Sequence, residues 1–272
     1  MIDLAHKIPE LDAKLIQLLE QLNDQDWNKQ TIARLWKVRD VVAHLLDGNI
    51  RTLSGLRDEH QADTPEIHTY QDLVNYLNQL NADWVQAMKR VSPEVLLDLF
   101  KYSCPPFHEY YASLDPYDKA TYAVAWAGES ESKNWMHIAR EYTERFLHQQ
   151  QVRDAIGQEG IMNREFYYPF LQVCMYALPH TLRDTRADTG VVLKMTITGD
   201  AGGSWFVQFN GNKWELLNEP MPEFETEVTI EADASWKLFS KSLRPKHLRA
   251  QIDISGNQSL GEAALEMVSF MA

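Results

Sequence analysis

Thr143-Glu144-Arg145-Phe146-Leu147-His148 sets a carboxylate and an imidazole four residues apart. At about 3.6 residues per turn, that spacing puts both on one helical face, one turn apart. About a hundred residues upstream, Val41-Val42-Ala43-His44-Leu45-Leu46 carries another imidazole inside an apolar helical stretch. Two imidazoles and a carboxylate can hold a borderline-soft divalent ion and leave one position open for water or substrate. If the two helices pack together, this is a reaction site. If they do not, it is two unrelated polar patches.

The helix bearing Glu144 has further polar candidates. His137, Glu141, Glu144 and His148 are spaced 4, 3 and 4, which puts the other three within about 40° of His148 around the helix. Trp135, Ile138, Tyr142 and Phe146 occupy other angles and can supply the core contact. A polar stripe of this kind is commonly a solvated face, and a lone His in an apolar run is commonly a core residue with a backbone partner. Spacing alone leaves both readings open.

Working outward, the first part of the chain reads as helical. Leu11, Leu15, Leu18, Leu19 and Leu22 mark one amphipathic stripe, and Val38, Val41, Val42, Leu45, Leu46, Asn49 and Leu53 mark a second helix over 38–57. Thr69 with Asp72 is an N-cap signal for a third helix through Met88. Ser92-Pro93-Glu94 opens a short helix. The Pro- and Tyr-rich stretch from Cys104 to Tyr117 reads as loop. A fourth long helix runs from Ser132 to Ile156, ended by Gly157 and Gly160.

Beyond this point the hydrophobic period changes from 3.6 to 2. Residues 191–198 read as a strand, and Trp205, Val207 and Phe209 alternate with their neighbours. Asn210-Gly211 is a strong hairpin signal, with 213–217 as the return strand. Glu225 to Glu231 alternates again; Asp233 reads as the cap of a helix through Leu238. Ala250 to Ile254 reads as a strand and Ser259 to Phe270 as a closing helix. The predicted fold class is α+β: a four-helix bundle over 1–157, then a smaller mixed α/β domain over 158–272.

Composition narrows the function classes. A formal net charge of −13 over 272 residues argues against a nucleic-acid partner, since phosphate binding needs clustered Lys and Arg. No apolar run approaches the ~20 residues that cross a bilayer, and the N-terminus lacks a signal-peptide core. The expected setting is cytoplasmic, with a small-molecule partner, no membrane, and a monomer or homodimer. Cys104 and Cys174 are expected as free thiols in a reducing compartment. Neither stands in an evident metal-ligand spacing, and no Gly-rich phosphate loop or nucleophile elbow occurs.

Trp36-Lys37-Val38-Arg39-Asp40-Val41-Val42-Ala43-His44-Leu45-Leu46 resembles the opening ligand motif of the DinB and maleylpyruvate isomerase superfamily. Arg140 to Gln151, with its Glu-x-x-x-His, resembles the second motif. Asn81-Ala82-Asp83-Trp84-Val85, Val91-Ser92-Pro93-Glu94 and Val124-Ala125-Trp126-Ala127-Gly128-Glu129 resemble the mycothiol-dependent maleylpyruvate isomerase type. Gly202-Gly203-Ser204-Trp205, Ala234 to Phe239 and Ile254-Ser255-Gly256-Asn257 resemble the sterol-carrier-protein-type domain that follows this bundle.

The resemblance implies metal ligands at His44, Glu144 and His148. It implies a divalent ion, zinc with nickel as the alternative, and a low-molecular-weight thiol that attacks a small electrophile in a transfer or isomerisation. Arg153 and Arg183 are candidate substrate-binding cations. The open metal position is expected to face a cleft roofed by the second domain or by the 104–117 segment. Two other readings stay open: a metal-dependent hydrolase of the same fold, and a non-enzymatic binder of an apolar ligand.

Overall fold

The computed structural model describes residues 1–60 and 62–270. They fall into two compact units: residues 1–122 with 132–160, and residues 123–131 with those from 161 onward.

The first unit is helical. It holds α1 (Lys7–Leu19), α2 (Asp24–Trp27), α3 (Val38–Arg51), α4 (Tyr70–Met88), α5 (Pro93–Ser113) and α6 (Asn134–Ile156). The chain leaves α3 through one π-helical segment, Thr52–Arg57, so the stretch expected as one regular helix changes pitch near its end. α1 packs on α5 and α6, and α3 packs on α5 and α6, which closes a ring of four helices. α4 packs on α3 outside that ring, and only Val85 and Met88 of it are buried.

Local signals explain the helix ends. Thr69 and Asp72 form a reciprocal capping box: Thr69 Oγ1 accepts from Asp72 N at 3.1 Å and Asp72 Oδ2 from Thr69 N at 2.9 Å. Gly157, at φ 70°, takes the left-handed conformation that ends α6.

Two sequence expectations are corrected in α5. The helix is long, and the segment from Cys104 onward is helical through Ser113, with Pro105 and Pro106 inside it. A proline inside a helix costs about 3 kcal/mol or more, because it removes a donor and crowds the preceding turn. Against this, Phe100, Cys104, Phe107 and Tyr111 recur at spacings 4, 3 and 4 and are 0–3% exposed. Burying each large apolar side chain contributes about 1.5–3 kcal/mol, so tertiary packing outweighs the local penalty. α5 thereby takes the ring position that its proline pair had argued against.

The second unit opens with α7 (Tyr167–Cys174) and α8 (Ala177–Thr181), which the sequence reading had not separated from a linker. β1 (Val192–Ile197), β2 (Gly203–Phe209), β3 (Trp214–Leu216), β4 (Thr226–Ile230) and β5 (Ile252–Gly256) form one sheet in the order β3-β2-β1-β4-β5. β1 and β4 are parallel; the other neighbours are antiparallel. At the β2–β3 turn, Asn210 Oδ1 accepts from Asn212 N and Lys213 N, both at 3.0 Å, and Gly211 sits at φ 94°.

α9 (Ala232–Phe239) and α10 (Gln258–Leu265) complete the unit, with Trp236, Leu238 and Phe239 fully buried. Glu231, not Asp233, stands at the N-cap of α9. Asp233 lies in the first turn, where its carboxylate accepts from Trp236 Nε1 at 3.1 Å and Lys237 Nζ at 2.6 Å. α10 starts with Asn257 accepting from Leu260 N and stops at Leu265, short of the expected Phe270. Residues 123–131 belong to this unit and bury Trp126 in it. Among the described residues no helix is long and apolar enough to cross a membrane.

Candidate metal centre

Because α3 and α6 are neighbours in the ring, His44 comes to lie against the Glu144–His148 turn. One ligand atom from each of the three residues lies within 4.8 Å of the others. His148 Nε2 is 3.3 Å from Glu144 Oε2. The His44 and His148 rings are 4.6 Å apart, edge to face. Trp36 covers both, with its ring 4.7 Å from His44 and 5.9 Å from His148.

The donor set fits a divalent ion on two observations. His44 Nδ1 is buried and has no hydrogen-bond partner among the described residues. The Asn81 side chain is another polar neighbour of the ring. His148 Nδ1 lies 2.9 Å from Gln151 Oε1, so it can donate there and would then turn its Nε2 lone pair to an ion placed between it, Glu144 and His44. Such an outer partner is how a ligating imidazole is fixed in tautomer and orientation.

Electrostatics point the same way. Burial pushes the His44 pKa well below its ordinary value, and the nearby charges of His148, Arg51 and Arg145 add to this, so the ring is neutral and able to ligate. Burial pushes the Glu144 carboxyl up, but the hydrogen bond with His148 and the charges of His148, Arg140 and Arg51 outweigh it and keep the pKa below normal. Glu144 is therefore a carboxylate at neutral pH.

The other candidates lie elsewhere. The stripe containing His137 is not solvated: His137 is 4% exposed, with Nε2 3.2 Å from Tyr111 Oη and 3.2 Å from Arg140 Nη2. Arg153 gives Nη1 to the Glu159 carbonyl at 2.7 Å and Nη2 to the Lys14 carbonyl at 3.3 Å, tying the end of α6 to α1. Arg183, in the second unit, donates to the His180 carbonyl at 2.8 Å and pairs with Asp184 on the surface. Arg153 keeps a buried Nε without a hydrogen-bond partner among the described residues. Gln151, Arg51 and Arg140 were not singled out from sequence; Gln151 is marked only by standing three residues after His148.

His137 provides a pH test of the helical unit. Burial, with the Arg140 charge, lowers its pKa to about 3, whereas an unfolded His titrates near ~6.5. Below pH ~6.5 the unfolded chain binds a proton that the folded chain refuses. Stability attributable to this residue is therefore complete above the unfolded pKa and is lost as pH falls toward 3, with a slope of up to about 1.4 kcal/mol per pH unit. Urea unfolding at pH 7 and pH 5 should show the loss, and His137→Gln should flatten the slope. An unchanged slope in that variant would remove His137 as its source.

A four-helix ring with a His-Glu-His cluster between two of its helices, followed by a mixed five-stranded sheet, defines a two-unit class of protein with a candidate metal cluster in its helical unit. The family model for the mycothiol maleylpyruvate isomerase N-terminal domain matches residues 8–153, more than half of the chain, and the chain belongs to that family. Among solved structures, mycothiol-dependent maleylpyruvate isomerase superimposes with a TM-score of 0.56 at 9% identity, covering 93% of this chain and 92% of that one. A mutant of the isomerase gives 0.55 at 10% identity with the same coverage. At such identity the likeness speaks for the fold, over both units. The sterol carrier protein domain 2 of Helicoverpa armigera overlaps 37% of this chain and 85% of that one at 18% identity, but its TM-score of 0.25 carries no argument. No curated protein matches by sequence.

Proposed function

We propose that His44, Glu144 and His148 hold one divalent ion, zinc or nickel, and that this centre serves a thiol-dependent transfer or isomerisation on a small electrophile. The observation that carries the reading is the convergence of the three ligand atoms around a buried, unpartnered His44 nitrogen. Membership in a family named for a mycothiol-dependent isomerase supports a low-molecular-weight thiol as the co-reactant. Two free cysteines suit a reducing, cytoplasmic setting.

The chemistry such an ion supplies when bound is a lowered pKa for a thiol or water, which makes a nucleophile at neutral pH. The chain's residues do the rest. Glu144 contributes the one negative ligand, so the centre keeps a net positive charge that favours an anionic nucleophile. Gln151 holds the His148 ring in one tautomer. Trp36 shields both imidazoles from bulk water, which strengthens electrostatic interactions in the site.

The test is a screen of mycothiol and other small thiols against conjugated cis-alkenes bearing carboxylates, with and without chelator. Turnover should need both thiol and metal, and should return when zinc or nickel is restored. Metal-dependent turnover without thiol would replace this reading with the hydrolase. Binding of an apolar ligand that survives chelation, with no turnover, would replace it with the binding protein.

A further inference from the structure

The ring of helices contains a second cluster with the same plan as the first. On α5, Cys104 and His108 stand four residues apart and share a face, as Glu144 and His148 do on α6. Asp12 comes from the neighbouring helix α1, as His44 comes from α3. One ligand atom from each of Asp12, Cys104 and His108 lies within 4.8 Å of the others. Read from sequence, Cys104 to His108 is no metal spacing, because the segment reads as loop. Folded as a helix, it is one turn.

The cluster is interior. Asp12 is 1% exposed and Cys104 3% exposed. Asp12 Oδ2 lies 2.7 Å from His108 Nε2, and its other oxygen accepts from Arg145 Nη1 at 3.2 Å. Asn49 Nδ2 donates to Ser103 Oγ at 2.8 Å and reaches Cys104 Sγ at 3.7 Å, while its Oδ1 accepts from Arg145 Nη2. Asn49 thus approaches the sulfur as a donor, and the Asp12 carboxylate stands beside it, where the two could share one ion.

We propose that Asp12, Cys104 and His108 form a second, thiolate-containing site for a zinc-class divalent ion, distinct from the His44–Glu144–His148 centre. Its role is to tie α1 to α5. Tetrahedral bonds of about 2.0–2.3 Å place ligand atoms ~3–4 Å apart, so the Asp12–His108 pair has only to open slightly. Thiolate with imidazole selects a softer ion than magnesium or calcium.

Ligation by Cys104 releases the thiol proton to solvent as the ion enters, so the thiolate and the Asp12 carboxylate together offset the two positive charges of the ion. Arg145 stays on the Asp12 oxygen that the ion does not use and orients it.

The test uses cobalt as the probe, because a sulfur-to-cobalt charge-transfer band in the near ultraviolet appears only where a thiolate binds the ion. The His44–Glu144–His148 centre has no sulfur and cannot give it. Full-length protein titrated with Co2+ should bind two ions per chain and develop the band. His44→Ala should lose one ion and keep the band. Cys174→Ser should keep both, whereas Cys104→Ser should lose the band and one ion. His108→Gln should weaken second-ion binding by tenfold or more. No band in the saturated wild-type protein, or a band that survives Cys104→Ser, overturns the site. The wild-type and Cys174→Ser spectra decide the matter even if Cys104→Ser folds poorly. A band with no loss of metal in His44→Ala would count against the first centre and leave this one standing.

Discussion

His44→Ala should lower the bound divalent metal by about one ion per chain while leaving the helical content intact. His44 provides one of only three ligand atoms, and its ring makes no structural hydrogen bond at Nδ1 whose loss would unsettle the core. Replacing a partner outside the ligand set commonly costs about 10–100-fold in metal affinity, and removing a ligand itself should exceed that. Gln151→Ala is the matched control, since it frees His148 Nδ1 but leaves all three ligands, and should fall within that range. Competition against a chromogenic chelator gives both affinities, with far-ultraviolet circular dichroism to follow the fold. Metal content in His44→Ala equal to the wild type would take His44 out of the centre.

Arg145→Met should destabilise the metal-free helical unit by about 3–5 kcal/mol, the usual cost of leaving one partner of a buried ion pair alone. Arg145 is 3% exposed and faces Asp12, also buried. It carries a second hydrogen bond to Asn49 and lies 4.2 Å over the Phe107 ring, so α1, α3 and α5 all meet on this one α6 side chain. The methionine keeps the apolar packing and removes the charge, which isolates the electrostatic part. Asp12→Asn combined with Arg145→Met should recover part of the loss, because no uncompensated carboxylate remains. Urea unfolding of the single and double variants measures the coupling. A single-variant loss below about 1 kcal/mol would mean that Asp12 finds other solvation.

The same network explains how much of the molecule could be read in advance. Glu144 and His148 are legible because an i, i+4 pair needs only a helix, and α6 is well marked. His44 is legible only through the residues around it, since an apolar run with one His has several meanings. Buried polar residues blurred the rest. The stripe with His137, Glu141, Glu144 and His148 reads as a solvated face, yet His137 is 4% and His148 6% exposed, and Arg145, Gln149, Gln150 and Gln151 beside it are 1–8% exposed, because α6 packs between α1 and α3.

Pro105 and Pro106 hid the true length of α5, and with it the Cys104–His108 turn. Local chemistry argued against a helix there, and the contacts that override it come from helices distant in sequence. Residues 123–131 were invisible as part of the second unit for a similar reason. A short segment with Trp126 at its centre has no period, and only its burial beside Gly128 assigns it. Gly128 sits at φ 78°, where a Cβ would run into the His180 ring.

The sheet order described above also bears on how these molecules behave when crowded. A five-stranded sheet has two rims with unsatisfied backbone groups, and each is an invitation for another chain to add a strand. Here one rim is β3, only three residues long. The other is β5, which presents Asp253, Ser255 and a terminal glycine at φ 84° to the outside and is packed by α10. A short rim and a charged, bent one offer little length for in-register pairing. The second unit is thereby guarded against growing into fibres or strand-added dimers through the rims of its sheet.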